Sequence, residues 1–292
     1  MPWLEANLTV DKSRAPLVEL LFDSLGAVAV TLGDAGDEPM LEPGPGETPL
    51  WQATRITGLF EGDTDADTLR SAINQALNTD SSRSLRLNRL EDRDWERAWM
   101  DQFQPMRFGR RLWIRPSGSE VDQDDAVIID LDPGLAFGTG THQTTALCLS
   151  WLDGNDLRGR RVIDFGCGSG VLAIAALKLG ATSAIAVDHD PQAVLATRDN
   201  AERNRVADRI EVLRSDEFAG RTADLVLANI LANILIDLSP QILGLLNPGA
   251  QLVMSGILQA QAGAVTRAYA GRLDFDPPAT RDDWVLLHGR TA

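Results

Sequence analysis

The chain has 292 residues, enough for two domains with a core each, and a formal charge of −15 from 42 acidic and 27 basic side chains. That balance argues against a nucleic-acid groove as the main partner and fits a basic partner or plain solubility. Cys148 and Cys167 form no C-x-x-C pair and the chain has three histidines, so neither a disulfide framework nor a zinc site is expected. The N-terminus Met1-Pro2-Trp3-Leu4-Glu5 lacks a basic and apolar signal, and no stretch approaches roughly 18 uncharged apolar residues, so a cytoplasmic protein without a membrane partner is expected.

Residues 1–91 read as one domain. Leu4, Ala6, Leu8 and Val10 alternate as in a strand, and Leu17, Leu20, Leu21 and Leu25 follow helical spacing up to Gly26, with a second strand over 27–32. An acidic, Pro- and Gly-rich loop over 33–49 follows. The cycle then repeats, with a strand over 51–61, a helix over 65–77 carrying Leu69, Ala72, Ile73, Ala76 and Leu77 on one face, and a strand over 84–90. This βαββαβ order predicts a ferredoxin-like sandwich. The segment carries 15 acidic and 7 basic residues, a net of −8, which makes a docking surface for a basic protein or a solvated face.

Residues 92–109 read as a helical linker. Asp94 can cap a helix with Trp95, Trp99 and Phe103 on one side, and Pro105 limits its length. From 110 to the end a second domain is expected, beginning with strands over 111–116 and 126–131. A loop dense in glycine and threonine, Asp132-Pro133-Gly134-Leu135-Ala136-Phe137-Gly138-Thr139-Gly140-Thr141-His142, then leads into a helix over 145–152, so backbone N–H groups and hydroxyls converge on one place.

Val162, Ile163 and Phe165 form a short buried strand, Val171 to Leu177 a helix stopped by Gly180, and 183–187 a second strand ending at Asp188. Between strand and helix lie Gly166, Gly168 and Gly170. Such a turn lets a ligand approach bare backbone and aims the first N–H groups of the helix at it. Asp188, 22 positions after Gly166, stands where a βαβ nucleotide site needs a carboxylate for a ribose hydroxyl. The spacing is D-x-G-x-G-x-G, led by Asp164, and not the G-x-G-x-x-G of dinucleotide sites. Beyond it, a helix over 190–204, strands over 209–213, 223–228 and 251–255, a last helix and an antiparallel edge from 273–275 and 284–288 complete a doubly wound sheet. Asn229-Ile230-Leu231-Ala232 falls at the carboxyl end of a strand, where such sheets bind ligands.

The D-x-G-x-G-x-G turn resembles the first motif of the Rossmann-like seven-stranded S-adenosylmethionine methyltransferases. Asp132-Pro133-Gly134 with Ala136-Phe137-Gly138-Thr139-Gly140-Thr141-His142 and Thr144-Thr145, just ahead of it, is similar to the ribosomal protein L-eleven (L11) methyltransferases of the PrmA type. The likeness extends over nearly the whole chain, through Trp284-Val285-Leu286-Leu287. It implies S-adenosylmethionine as cofactor, held by Thr145, Gly166, Asp188 and Asn229 with Asp164, Gly168, Thr141 and Phe137. It also implies Asn229 beside the target nitrogen, and lysine side chains and the N-terminal amine of L11 as substrates of successive transfers. A monomer is expected. Gln143 stands where the family often has proline, and Arg205 where a glycine would end the helix.

Methyl transfer needs a neutral amine in line behind an activated carbon, yet a lysine of pKa about 10.4 is only about 0.04% neutral at pH 7. The site must therefore desolvate the ammonium or pass on its proton. His142, in the loop, is read as a loop-bonding residue ahead of a general base. Two other classes share parts of this pattern. A nicotinamide-dependent oxidoreductase shares the βαβ unit and Asp188 but not the glycine spacing, and a non-catalytic ribosome-binding module would not need the intact loop.

Overall fold

The computed structural model describes residues 2–36, 50–77, 85–90, 104–132 and 142–292. The chain divides into two compact units, Met1–Ala98 and Trp99–Ala292. The helix expected from Asp94, most of the acidic loop, and Phe137 and Thr141 lie outside the described residues.

In the first unit, β1 (Trp3–Asp11), β2 (Ala29–Asp34), β3 (Ala53–Glu61) and β4 (Leu85–Leu90) form an antiparallel sheet ordered β2-β3-β1-β4. β1 and β3 are the two inner strands, and both alternate, with Leu4, Ala6 and Leu8 of β1 and Ile56 and Phe60 of β3 buried. Two helices, α1 (Ala15–Ser24) and α2 (Ala66–Leu77), share one core with that face, where Phe22 meets Phe60 edge-on at 6.0 Å between ring centres. Gly58 leaves the room, since a Cβ there would sit 2.5 Å from the Phe22 ring. α2 buries Leu69, Ile73 and Leu77 as its spacing requires. α1 does not follow the leucine stripe. It buries Ala15, Val18 and Phe22, while Leu17 and Leu20 are 56% and 68% exposed. Leu17 with Leu20 and Leu21 is as good a 3–4 pattern as Ala15 with Val18 and Phe22, and the large Phe22 ring decides which face turns inward.

The second unit holds a small sheet of β5 (Met106–Phe108), β6 (Leu112–Arg115) and β7 (Val127–Asp130), followed by α3 (Gln143–Gly154). β5 is too short for periodicity to reveal. The large sheet takes β8 (Arg161–Phe165), β9 (Ser183–Asp188), β10 (Ile210–Arg214), β11 (Ala223–Asn229), β12 (Leu246–Leu258), β13 (Asp274–Phe275) and β15 (Trp284–Arg290) in the order β10-β9-β8-β11-β12-β15-β13. A short eighth strand, β14 (Ala279–Arg281), pairs only with β15. β10 to β12 run parallel to their neighbours, and β15 enters antiparallel between β12 and β13. Order therefore reverses at β8, where the chain goes one way to β9 and the other way to β11. Crevices at the carboxyl ends of strands open at such points.

Side-chain alternation sorts the two faces. Val162, Leu225, Leu227 and Val253 join α3, α4 (Val171–Lys178) and α5 (Pro191–Arg203) in one core. Ile163, Phe165, Val226, Ala228, Leu252 and Met254 join α6 (Ala232–Asp237), α7 (Ser239–Leu243) and α8 (Gln259–Ala268) in the other. α4 is apolar around its whole circumference, with Val171 to Leu177 all buried. Tyr269, the single tyrosine of the chain, is fully buried after α8 and donates its hydroxyl to the Leu235 carbonyl at 2.8 Å. Among the described residues no helix is long and apolar enough to cross a membrane.

Candidate cofactor and methyl-transfer site

The glycine turn after β8 is fixed from three sides. Gly166, Gly168 and Gly170 all have positive φ, at 79°, 54° and 76°, and the last is the N-cap of α4. The Gly166 and Cys167 N–H groups donate to the Val187 carbonyl at 2.8 and 3.0 Å, which ties the turn to the end of β9. On the third side α5 supplies polar side chains on its buried face. Thr197 donates to the Gly168 carbonyl at 2.9 Å and Asn200 to the Ser169 carbonyl at 2.9 Å, while Asn204, the C-cap of α5, donates to the Asp130 carbonyl of β7 at 2.8 Å. These three escaped sequence reading. Their 3–4 spacing among the buried Ala193, Val194 and Ala201 was the available signal.

Asp188 is 8% exposed at the end of β9. Its Oδ2 accepts the Gly168 N–H at 2.9 Å and its Oδ1 accepts the Asp190 N–H at 3.0 Å, with His189 Nδ1 3.2 Å from Oδ1. The carboxylate is thus locked to the glycine turn while keeping acceptor sites for hydroxyl donors. Asp164, 1% exposed in β8, accepts the Ala173 N–H through Oδ2 at 3.1 Å, which places it under the start of α4. Its Oδ1 has no hydrogen-bond partner among the described residues. Burial, with the Asp188 charge adding to it, pushes this carboxyl up to about 7 against the pull of the Ala173 bond.

One strand over, Asn229 ends β11. Its Nδ2 donates to Thr145 Oγ1 on α3 at 3.4 Å, and its buried Oδ1 has no partner among the described residues. The segment after it is wedged: a Cβ on Gly166 would strike the Ile230 side chain, and one on Gly256, φ 81°, would strike the Ile230 backbone. Sequence reading passed over Gly256, whose positive φ sits at a register shift between β12 and β15. His142 is the N-cap of α3. Its Nδ1 accepts from Thr144, 2.8 Å from the hydroxyl and 3.4 Å from the amide nitrogen, and its ring packs edge-on against Trp284 at 4.9 Å. Thr144 and Thr145 follow the cap and do not supply it. Burial pushes the His142 pKa below its ordinary value.

The arrangement thus brings Gly168 against Asp188, Asp164 under the same turn, and Asn229 against Thr145, all at the carboxyl edge of β8, β9 and β11. Of the three buried oxygens without a partner among the described residues, those of Asp164 and Asn229 lie at this edge, and S-adenosylmethionine carries donors and positive charge together with a ribose. No group of His, Cys, Asp and Glu among the described residues could hold a metal ion. Fold and site together define an S-adenosylmethionine-dependent methyltransferase of the α/β class.

Comparison with known proteins narrows this to one family. The family model of Ribosomal protein L11 methyltransferase (PrmA) matches residues 2–292, and the chain belongs to that family. It is 52% identical to the ribosomal protein L11 methyltransferase of Vibrio cholerae over 292 residues, and 51% identical to that of Pseudomonas aeruginosa over 291 residues. Each alignment covers 99% of both chains. A solved structure, the ribosomal protein L11 methylase of Lactobacillus delbrueckii subsp. bulgaricus, superposes with a TM-score of 0.61 at 35% identity. It covers 65% of this chain and 100% of its own.

Proposed function

We propose that the chain transfers methyl groups from S-adenosylmethionine to amines of ribosomal protein L11, its lysine side chains and its N-terminal amine, by successive transfers at one site. Bound cofactor supplies a methyl already activated on a sulfonium. The protein then has to hold a neutral amine in line and keep water out. Asp188 holds the ribose, with Gly166 and Gly168 giving backbone contact and Asp164 lying beneath. Phe137 and Thr141 belong to the loop that meets the methionine portion.

The observation that carries this reading is the Asn229 amide. Thr145 takes up its Nδ2, so its Oδ1 is left as a fixed, buried acceptor one strand from the glycine turn. An amine N–H donating to that oxygen would leave its lone pair facing away from Asn229, free to attack an activated methyl. His142 positions this corner by capping α3, and Trp284 backs it.

The first unit reads as a ferredoxin-like domain over 1–91 that recognises L11, joined through residues 92–109 to a methyltransferase domain over 110–292. The protein acts in the cytoplasm as a monomer, without membrane or sequence-specific nucleic-acid contacts. Mass spectrometry of L11 after incubation with enzyme and S-adenosylmethionine tests the reading directly, and mass increments on lysines and the N-terminus are expected. In Asn229→Ala, turnover should fall by one to two orders of magnitude or more, roughly the worth of a positioned polar group in a transition state, with L11 docking nearly unchanged. Loss of docking alone would remove Asn229 from the site.

A further inference from the structure

Asp164 sits in an unusual electrostatic position for a carboxylate. It is 1% exposed, and one oxygen holds the Ala173 N–H while the other has no partner among the described residues. Among the described residues, the titratable groups coupled to it are acidic or neutral: Asp188 from β9, Cys148 from α3 and Cys167 from the glycine turn. Both thiols are pushed far up by burial and stay neutral, Cys167 in contact with Thr197 at 3.4 Å and Cys148 bonded to Ser255 of β12. Among the described residues no lysine, arginine or histidine pairs with Asp164. The stretch 133–141, Pro-Gly-Leu-Ala-Phe-Gly-Thr-Gly-Thr, contains no cationic side chain either.

An ionised carboxylate in this place is a buried charge whose compensation among the described residues is the Ala173 N–H alone, beside a second carboxylate that is already engaged with Gly168 and Asp190. S-adenosylmethionine, with its sulfonium, carries net positive charge. We propose that Asp164 holds a proton on its carboxyl in the free protein and gives it up to solvent as S-adenosylmethionine binds, so that the cofactor's charge replaces the proton's. The O–H bond breaks, its electron pair stays on the carboxylate, and the proton goes to the buffer. The upward displacement of this carboxyl to about 7, caused first by burial and then by Asp188, places the exchange near neutral pH. The inference rests on the glycine turn being the S-adenosylmethionine site.

The sign follows from linkage. The cofactor prefers the deprotonated form, so affinity should be flat above about pH 7 and fall by about tenfold per pH unit below it. Calorimetry of the full chain with S-adenosylmethionine at about pH 6, in buffers of different ionisation enthalpy, should show close to one proton released per cofactor bound. In Asp164→Asn, a neutral isostere, that release should vanish and the affinity should lose its dependence on pH in this range. His142, whose pKa lies below the ordinary histidine value, can add a release of its own, and the part that survives in the variant belongs to it.

Binding heats independent of the buffer in the native chain, or an unchanged release in Asp164→Asn, would overturn the proposal while leaving the cofactor assignment in place. If S-adenosylmethionine fails to bind the native chain at any pH, the cofactor assignment itself falls. Should Asp164→Asn fail to fold, the native chain's affinity profile decides alone, and a flat profile from about pH 5.5 to 7.5 overturns the proposal.

Discussion

Asp188 and Arg205 show opposite relations between a residue and its backbone. Asp188 is held in place by two N–H donors, Gly168 and Asp190, so its removal should leave the fold intact and cost mainly ligand. Asp188→Ala is expected to weaken S-adenosylmethionine binding by about 1.5–3 kcal/mol, the worth of a hydrogen bond to a charged group, as read by titration calorimetry. Unchanged affinity would remove the ribose role. Arg205 instead strains its backbone. It follows α5 with φ 58°, in the left-handed region, where its N–H reaches the Glu202 carbonyl at 2.9 Å and the Val206 N–H reaches the Ala201 carbonyl at 3.0 Å. The turn expected of a glycine is therefore kept by an arginine at a conformational cost. Arg205→Gly should raise the unfolding free energy by about 0.5–1 kcal/mol, seen as a higher urea midpoint with an unchanged m-value. The places of Asp188 and Asn229 at strand ends and of the glycines in the turn were legible because strand ends and positive-φ turns leave a fixed spacing in the sequence. Thr197, Asn200 and Gly256 were not, because they act by packing against segments distant in sequence.

At the level of elements, the far end of the sheet carries a polar chain that joins strands. Arg160, just before β8, donates to Gln251 of β12. Gln251 donates through Nε2 to His288 Nε2 on β15 at 3.0 Å, and His288 Nδ1 meets Asp276 at 2.6 Å, with Trp151 of α3 packed on the ring at 4.9 Å. With Nε2 accepting, the imidazole is neutral and has no place for a second proton. Burial, aided by Arg290 and Arg160 and opposed by Asp276, pushes its pKa below the ordinary 6.5. The unfolded chain therefore binds more protons between that lowered value and 6.5. The stabilisation is complete above 6.5 and is lost as pH falls through that window. Urea unfolding at a series of pH values should show stability declining below about pH 6.5, at no more than about 1.4 kcal/mol per unit for one proton, and His288→Gln should flatten that slope. His142 contributes in the same direction and remains in the variant. α2, with one dominant period, and α4 and β8, as apolar runs, were readable in advance. α1 carried two competing apolar faces, and only the seat of Phe22 over Gly58 settles which is inside. α6 and α7 merge in the sequence into one apolar run around Pro240, and β14 has three exposed residues with no periodicity to find.

For the molecule as a whole, charge and chemistry are divided along the chain. The glycine-rich motifs lie after residue 131, whereas residues 1–91 carry a net of −8 out of −15 and none of them. If this acidic segment recognises L11, binding should weaken steadily with added salt. A fragment of residues 1–91 should bind L11 without cofactor, and a fragment starting near Asp92 should bind S-adenosylmethionine yet barely methylate L11. Equal rates of L11 methylation by that second fragment and the full chain would assign recognition elsewhere. Most strands of both units were legible from their apolar patterns. The eighth strand and the insertion of β15 between β12 and β13 depend on pairings that no local pattern announces. The burial of Tyr269 has a spectroscopic consequence for this division. It is the only phenol in the chain, it lies in the second unit, and burial raises its pKa well above the ordinary value. Tyrosinate absorbance on alkaline titration is consequently silent while the second unit is folded and blind to the first unit at all times, which makes one native chromophore a selective optical gauge of the methyltransferase half.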